Sequence, residues 1–181
     1  MSAQPASAYF LVDQRARDTR AILSVLVDNE AGALARVVGL FSGRGYNIES
    51  LTVAETDHHR HTSRITIVTK GTPEVIEQIK AQLLRLVPVH KVVDLSVDKP
   101  GIEREMALVK VKSSGDHRVE ALRLSEAFRA RVIDTTHTSF VFELTGAPAK
   151  LDAFIELMIP LGLVETSRTG VVAISRGPDP L

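Results

Sequence analysis

The chain has 181 residues, and its 22 Lys and Arg are balanced by 22 Asp and Glu, for a formal charge of zero. That balance gives no general electrostatic pull toward nucleic acid or an anionic membrane, so neither is expected as a partner. Cysteine is absent, which excludes disulfides, thiolate nucleophiles and cysteine metal sites together and suits a cytoplasmic protein.

Residues 1–20 carry Pro5 and no sustained period, and are expected to be a flexible tail. They lack the apolar core of a secretory signal, and no later apolar run is long enough to cross a bilayer. Residues 22–28 read as a strand with Leu23, Val25 and Val27 on one face. Residues 32–44 read as an amphipathic helix, because Leu34, Val37, Val38 and Phe41 recur at helical spacing. Gly43 and Gly45 end it. Residues 47–55 and 64–70 read as strands around the polar turn at 56–62. Thr72 then caps a helix with Pro73 at its first position. Its apolar residues Val75, Ile79, Leu83 and Leu86 run on until Pro88 stops it, and residues 89–97 form a strand. The order βαββαβ specifies a ferredoxin-like unit, an antiparallel sheet with helices on one face.

The breakers Asp98-Lys99-Pro100-Gly101 mark the domain boundary. They divide the chain into a first domain over residues 21–98 and a second over 99–181. The same order then repeats: a strand at 106–112, a helix at 117–129, and strands at 132–136 and 139–145. A helix at 149–159 follows, with Leu151, Phe154, Ile155 and Met158 on one face, and a strand at 163–174 is broken near Thr169-Gly170. The fold class expected is α+β, two tandem ferredoxin-like βαββαβ domains. Each is small enough to be marginal alone. Their open sheet edges would be protected by pairing with another copy. With the boundary at 98–101, a chain ending near Val97 is expected to fold by itself.

The loop after the first strand is the most informative stretch. Asp28 runs into Asn29-Glu30-Ala31-Gly32-Ala33-Leu34, where the helix begins. A glycine there lets a small ligand approach the backbone, and the unpaired N–H groups of a first helical turn attract a carboxylate. No obvious catalytic group stands beside it. Asn29, Gly32 and Asn47 also admit purely structural roles: a helix cap, an eased turn, and a partner for a buried backbone group.

The run resembles the ACT domain, an amino-acid-binding regulatory module. More narrowly, it is similar to the small regulatory subunit of acetohydroxyacid synthase, or acetolactate synthase. The residues that carry this are NEAGAL at 29–34, RVVGLF at 36–41 and RGYNIESL at 44–51. LDAF at 151–154 and GVVAISRG at 170–177 extend the likeness over about residues 20–177.

The resemblance implies that the first domain is an ACT domain. It also implies a valine site across a homodimer interface, built from Asn29, Gly32, Ala33 and Leu34 of one chain with Asn47 and Ile48 of the other. Free N–H groups near Gly32 would hold the carboxylate, and the Asn29 and Asn47 oxygens would accept from the ammonium group. Leu34, Ile48 and Ala54 would line an apolar recess for a branched side chain.

It implies as well a noncatalytic role: binding valine or another branched-chain amino acid and passing feedback to the large catalytic subunit of acetolactate synthase. Thiamine diphosphate, Mg2+ and FAD would belong to that partner, and this chain would carry no cofactor. The second domain would complete the dimer or dock the catalytic chain. A free-standing ACT sensor controlling a different enzyme is the alternative. His58, His59 and His61 crowd one turn beside Asp57, but a solvated loop is expected there rather than a metal site. His90, His117 and His137 are scattered and receive no role. There is no Walker A loop, dinucleotide fingerprint or nucleophile elbow. An RNA-recognition sheet would need aromatics on its central strands, and Leu23, Val25, Ile65 and Ile67 stand there instead.

Overall fold

The computed structural model describes residues 18–180 apart from 58 and 60. The expected tail at 1–17, and His58 and Arg60 of the polar turn, lie outside the described residues. The first strand, β1 (Thr19–Asp28), begins within the last residues expected to be tail. It is followed by α1 (Ala33–Arg44), β2 (Ser50–Asp57), β3 (Thr62–Gly71), α2 (Pro73–Leu83) and β4 (Val89–Asp94). The second half contains β5 (Gly101–Lys112), α3 (Gly115–Phe128), β6 (Arg131–Thr135), β7 (Ser139–Gly146), α4 (Pro148–Met158), β8 (Leu163–Arg168) and β9 (Val172–Ser175). The two sheets have strand orders β2-β3-β1-β4 and β6-β7-β5-β8. All described pairings are antiparallel. Both halves therefore carry the ferredoxin-like arrangement expected from element order.

Period-two alternation sends Leu23, Val25, Val27, Ile65 and Ile67 to the helix side of the first sheet. There they pack with Val37, Phe41, Ile76, Ile79 and Leu83. Fully burying a Leu, Ile or Phe contributes about 1.5–3 kcal/mol. A second cluster, centred on Val109, Phe142, Leu151 and Phe154, closes the other half. The α1 face differs from expectation at Leu34 and at Val38, which is only half-buried. The row facing the sheet is Ala33, Val37 and Phe41, whereas Leu34 is 41% exposed. Thr72 caps α2 by accepting from the Val75 N–H, with Pro73 at the first position, as its sequence specifies.

A third cluster was not apparent from periodicity. Ile22, Val68, Val93 and Leu95 point to the opposite face of the first sheet and are covered by Val171 and Ala173. The cover is a two-stranded ribbon in which the first residues of β5 pair with β9, from Gly101↔Ser175 to Arg104↔Val172. This explains why β5 starts at Gly101 rather than at 106. It also explains why β1 is buried on both faces. The strand expected to reach Val97 ends at Asp94, whose Oδ1 accepts from the Ser96 N–H at 2.7 Å and turns the chain. The breaker segment is thus a pinned turn between halves that share a core.

Candidate functional site

Three fixings hold the loop between β1 and α1. The Asn29 N–H donates to the His61 carbonyl at 2.7 Å. Asp28 Oδ1 lies 2.6 Å from His90 Nε2, and Arg36 reaches Glu30 at 3.1 Å. Gly32 takes φ +88° at the helix N-cap, a conformation that costs glycine nothing. No side chain caps α1, and its first turn has no acidic residue. The Ala33 N–H is used by the Glu30 carbonyl at 3.2 Å. The N–H groups of Leu34 and Ala35 have no partner among the described residues. The positive end of the helix dipole is therefore open to an anion. Ala33 is buried, so only its backbone borders this space, while Leu34 is exposed above it.

The second expected segment follows Gly45, which ends α1 at φ +69°. Tyr46 packs edge-on against Phe41, and its hydroxyl bonds Gln78. Thr69 Oγ1 donates to the Asn47 carbonyl at 2.6 Å, and Ile48 packs on the first core. The side-chain amides of Asn29 and Asn47 are exposed and make no hydrogen bond among the described residues. Neither performs the capping or backbone-satisfying role that would have accounted for it structurally.

One chain does not bring the two segments together. Ser50 pairs with Val68, which pairs with Ile22, whereas the loop leaves β1 six residues later at Asp28. At strand rise this puts them about 20 Å apart along the sheet, at opposite ends of α1. Ala54 is placed differently again. It pairs with Arg64 on the face away from the helices, lining an apolar groove of about 590 Å³ with Thr52, Thr66, Ile102, Val172 and Ile174. Within one chain, Ala54 and Leu34 lie on opposite sides of the sheet.

Sequence reading missed the junction beside this groove. The Val171 N–H donates to Ser50 Oγ at 2.8 Å, and Thr52 Oγ1 donates to the Val171 carbonyl at 2.6 Å. Nearby, Arg168 makes two hydrogen bonds to the buried Glu105, at 2.8 and 2.5 Å, and one to Asp152 of α4. The hydrogen bonds to Glu105 push the Arg168 pKa up against the effect of burial, with Asp152 adding to the rise. The partners stand more than a hundred residues apart for Val171 and more than sixty for Glu105. No local pattern announces either.

Among the described residues, no group of three or more His, Cys, Asp or Glu side chains is placed to hold a metal ion. His61 adopts φ +48° and serves the loop through its carbonyl. The described helices include none long and apolar enough to cross a membrane.

Residues 23–91 match the family described as "AHAS small subunit-like ACT domain", and residues 104–177 match "Small subunit of acetolactate synthase". The acetolactate synthase isozyme 3 small subunit of Salmonella typhimurium is 51% identical over 159 residues, covering 87% of this chain and 96% of that protein. A probable acetolactate synthase small subunit from Archaeoglobus fulgidus is 44% identical over 155 residues, covering 86% and 96%. The crystal structure of the Thermotoga maritima acetolactate synthase small subunit superposes with a TM-score of 0.79 at 39% identity, covering 89% of this chain and 99% of that one. These matches span both halves, and the chain belongs to the family of acetolactate synthase small subunits, its first half an ACT domain.

Proposed function

We propose that this chain is a valine-sensing regulatory subunit that works as a homodimer and controls a large catalytic subunit of acetolactate synthase in the cytoplasm. The carrying observation is the unused polar edge at both ends of α1. At one end stand Asn29 and the open helix N-terminus beyond Gly32; at the other stands Asn47 with Ile48. Two chains related by a twofold axis can oppose these ends and complete two equivalent sites.

The Leu34 and Ala35 N–H groups would take the amino acid's carboxylate, and the oxygens of Asn29 and Asn47 its ammonium group. Leu34 and Ile48 would enclose the branched side chain. Ala54, which lines the groove on the other face of β2, is left out of this recess. Thiamine diphosphate, Mg2+ and FAD would belong to the catalytic subunit. The small subunit's contribution is to bind valine differently in the active and inhibited complexes, since only a differential affinity shifts an equilibrium.

Calorimetry of the purified chain with valine, alongside activity of the reconstituted complex, tests this reading. Valine should bind the isolated chain and inhibit the complex, and the chain alone should form no acetolactate. Asn29→Ala and Asn47→Ala should each weaken binding by about 1–3 kcal/mol if the bonds are buried by the ligand. Equal binding by both variants and wild type would place the site elsewhere.

A further inference from the structure

We infer that Ser50 and Thr52 are positioning residues that tie the effector segment Asn47–Ile48 to the second half of the chain through Val171, and that feedback requires this clamp. The inference rests on the valine site proposed above and concerns how its occupancy is reported.

β2 is an edge strand, so β3 holds it along one side only. At its start, the Glu49 N–H donates to the Val68 carbonyl at 2.8 Å, and Ser50 pairs with Val68. Within the first half, Thr69 Oγ1 holds the Asn47 carbonyl, Ile48 and Leu51 pack on the first core, and Lys70 pairs with Glu49; a further restraint comes from the other half. Ser50 Oγ accepts from the Val171 N–H at 2.8 Å, and Thr52 Oγ1 donates to the Val171 carbonyl at 2.6 Å. Both polar groups of one peptide residue are thereby gripped by alternate side chains on one strand face, which fixes Val171 in position and in orientation. Val171 is itself 3% exposed and packs in the shared third core. The approach is close: a Cβ on Gly170 would stand 2.8 Å from Ser50 Oγ, and Gly170 has φ +81°. Both conditions favour glycine at this position.

Residues 169–171 link β8 of the second sheet to β9 of the ribbon. On the β8 side, the Thr169 N–H donates to the Met106 carbonyl at 3.0 Å, and Arg168 grips Glu105 and Asp152. A displacement of β2 that follows ligand contact at Asn47 therefore meets a stiff connection to β5 and α4. Packed, hydrogen-bonded segments of this kind carry coupling between sites. By reciprocity, a clamp that lets valine alter the complex also lets the complex alter valine affinity.

The test compares wild type, Thr52→Val and Thr52→Ser as full chains. Thr52→Val keeps the shape and removes the donor, whereas Thr52→Ser keeps the hydroxyl. Valine binding to each free chain is measured by calorimetry, and inhibition is measured with saturating catalytic subunit. Thr52→Val should bind valine within about twofold of wild type and activate the partner equally, yet leave at least about half of the activity at saturating valine. Thr52→Ser should restore the wild-type plateau. Wild-type inhibition by a folded Thr52→Val chain overturns the clamp, as does a Thr52→Val plateau that Thr52→Ser shares. Failure of wild type itself to bind valine overturns the site proposal and this inference with it. Retained binding with full inhibition in Thr52→Val overturns this inference alone.

Discussion

Arg168 holds Glu105 in a two-point grip, Nε at 2.8 Å and Nη2 at 2.5 Å, at the point where the second sheet meets the inter-half ribbon. Glu105 is 5% exposed, so its carboxylate has almost no water to turn to. Arg168→Ala would leave that charge unpaired, which costs 3–5 kcal/mol when both partners are buried. One third of the Arg168 side chain is exposed, so a loss of about 2–3 kcal/mol is expected after discounting for solvent. Denaturant unfolding should read this loss, with Glu105→Gln closer to wild type because a neutral amide is less costly to bury. Equal stability of Arg168→Ala and wild type would show that the grip contributes nothing.

Removing everything after Val97 should be costlier than the breaker-rich boundary suggests. The deletion takes away Val171 and Ala173 and uncovers Ile22, Val68, Val93 and Leu95. Each large apolar side chain returned to water costs about 1.5–3 kcal/mol. The truncated chain should melt well below the first half of the intact protein, or associate through the uncovered sheet face. A monodisperse fragment with the intact chain's melting temperature would contradict the shared core.

The two βαββαβ units, the capped start of α2 and the glycine stop of α1 were legible because each is written locally, in period and punctuation. Thr72-Pro73 is one such signal, and the turn after Arg44 another. The shared core was not legible, since Ile22 and Val68 alternate with residues of the first core and read as the outer face of a half-buried sheet. Only the unbroken apolar run Ala21-Ile22-Leu23 hinted that both faces are covered. The candidate loop is legible from its resemblance, but the free state of Asn29 and Asn47 depends on tertiary neighbours that no local pattern records. Asn29 in particular reads as a helix cap, a position that Gly32 takes instead.

The turn after β4 should add an acid-sensitive element. Lys80 Nζ lies 2.9 Å from Asp98 Oδ2 and 2.8 Å from Glu77 Oε1. The Lys80 hydrogen bond holds the Asp98 carboxyl below its ordinary value of 3.8, against burial and with help from the Asp94 N–H. A carboxylate lowered in the folded state stabilises above its unfolded pKa, and that contribution is lost as pH falls through the folded value. Wild type should therefore melt higher than Asp98→Asn at neutral pH, with the gap closing below about pH 4. Burial of Lys80 opposes its charge, but the bonds to Glu77 and Asp98 outweigh it and raise its pKa. On the alkaline side the same gap should be whole below the ordinary lysine value of 10.5 and be lost as pH rises through the raised one. A gap that stays constant from neutral pH to pH 2 would rule out this pair as its source.

Gly32→Asp should separate folding from sensing. A Cβ at Gly32 meets nothing within 4 Å, so the side chain has room. The left-handed backbone costs a non-glycine residue about 1–2 kcal/mol, less for Asp than for a β-branched residue. Its carboxylate would sit at the helix N-terminus in place of the ligand's own. The variant should activate the catalytic subunit normally and resist valine at concentrations that inhibit wild type. Retained valine inhibition would contradict carboxylate binding at this helix.

The central claim is that each site takes its loop from one chain and Asn47 from the other. Co-expression of a Gly32→Asp chain and an Asn47→Ala chain, each carrying a different tag, tests it most directly. A mixed dimer pairs the two lesions in one site and leaves the other site wild type. Neither variant alone should bind valine with wild-type affinity. The doubly purified mixed dimer should bind with that affinity at one site in place of two. Absence of any wild-type-affinity site in a folded mixed dimer would contradict a site shared between chains.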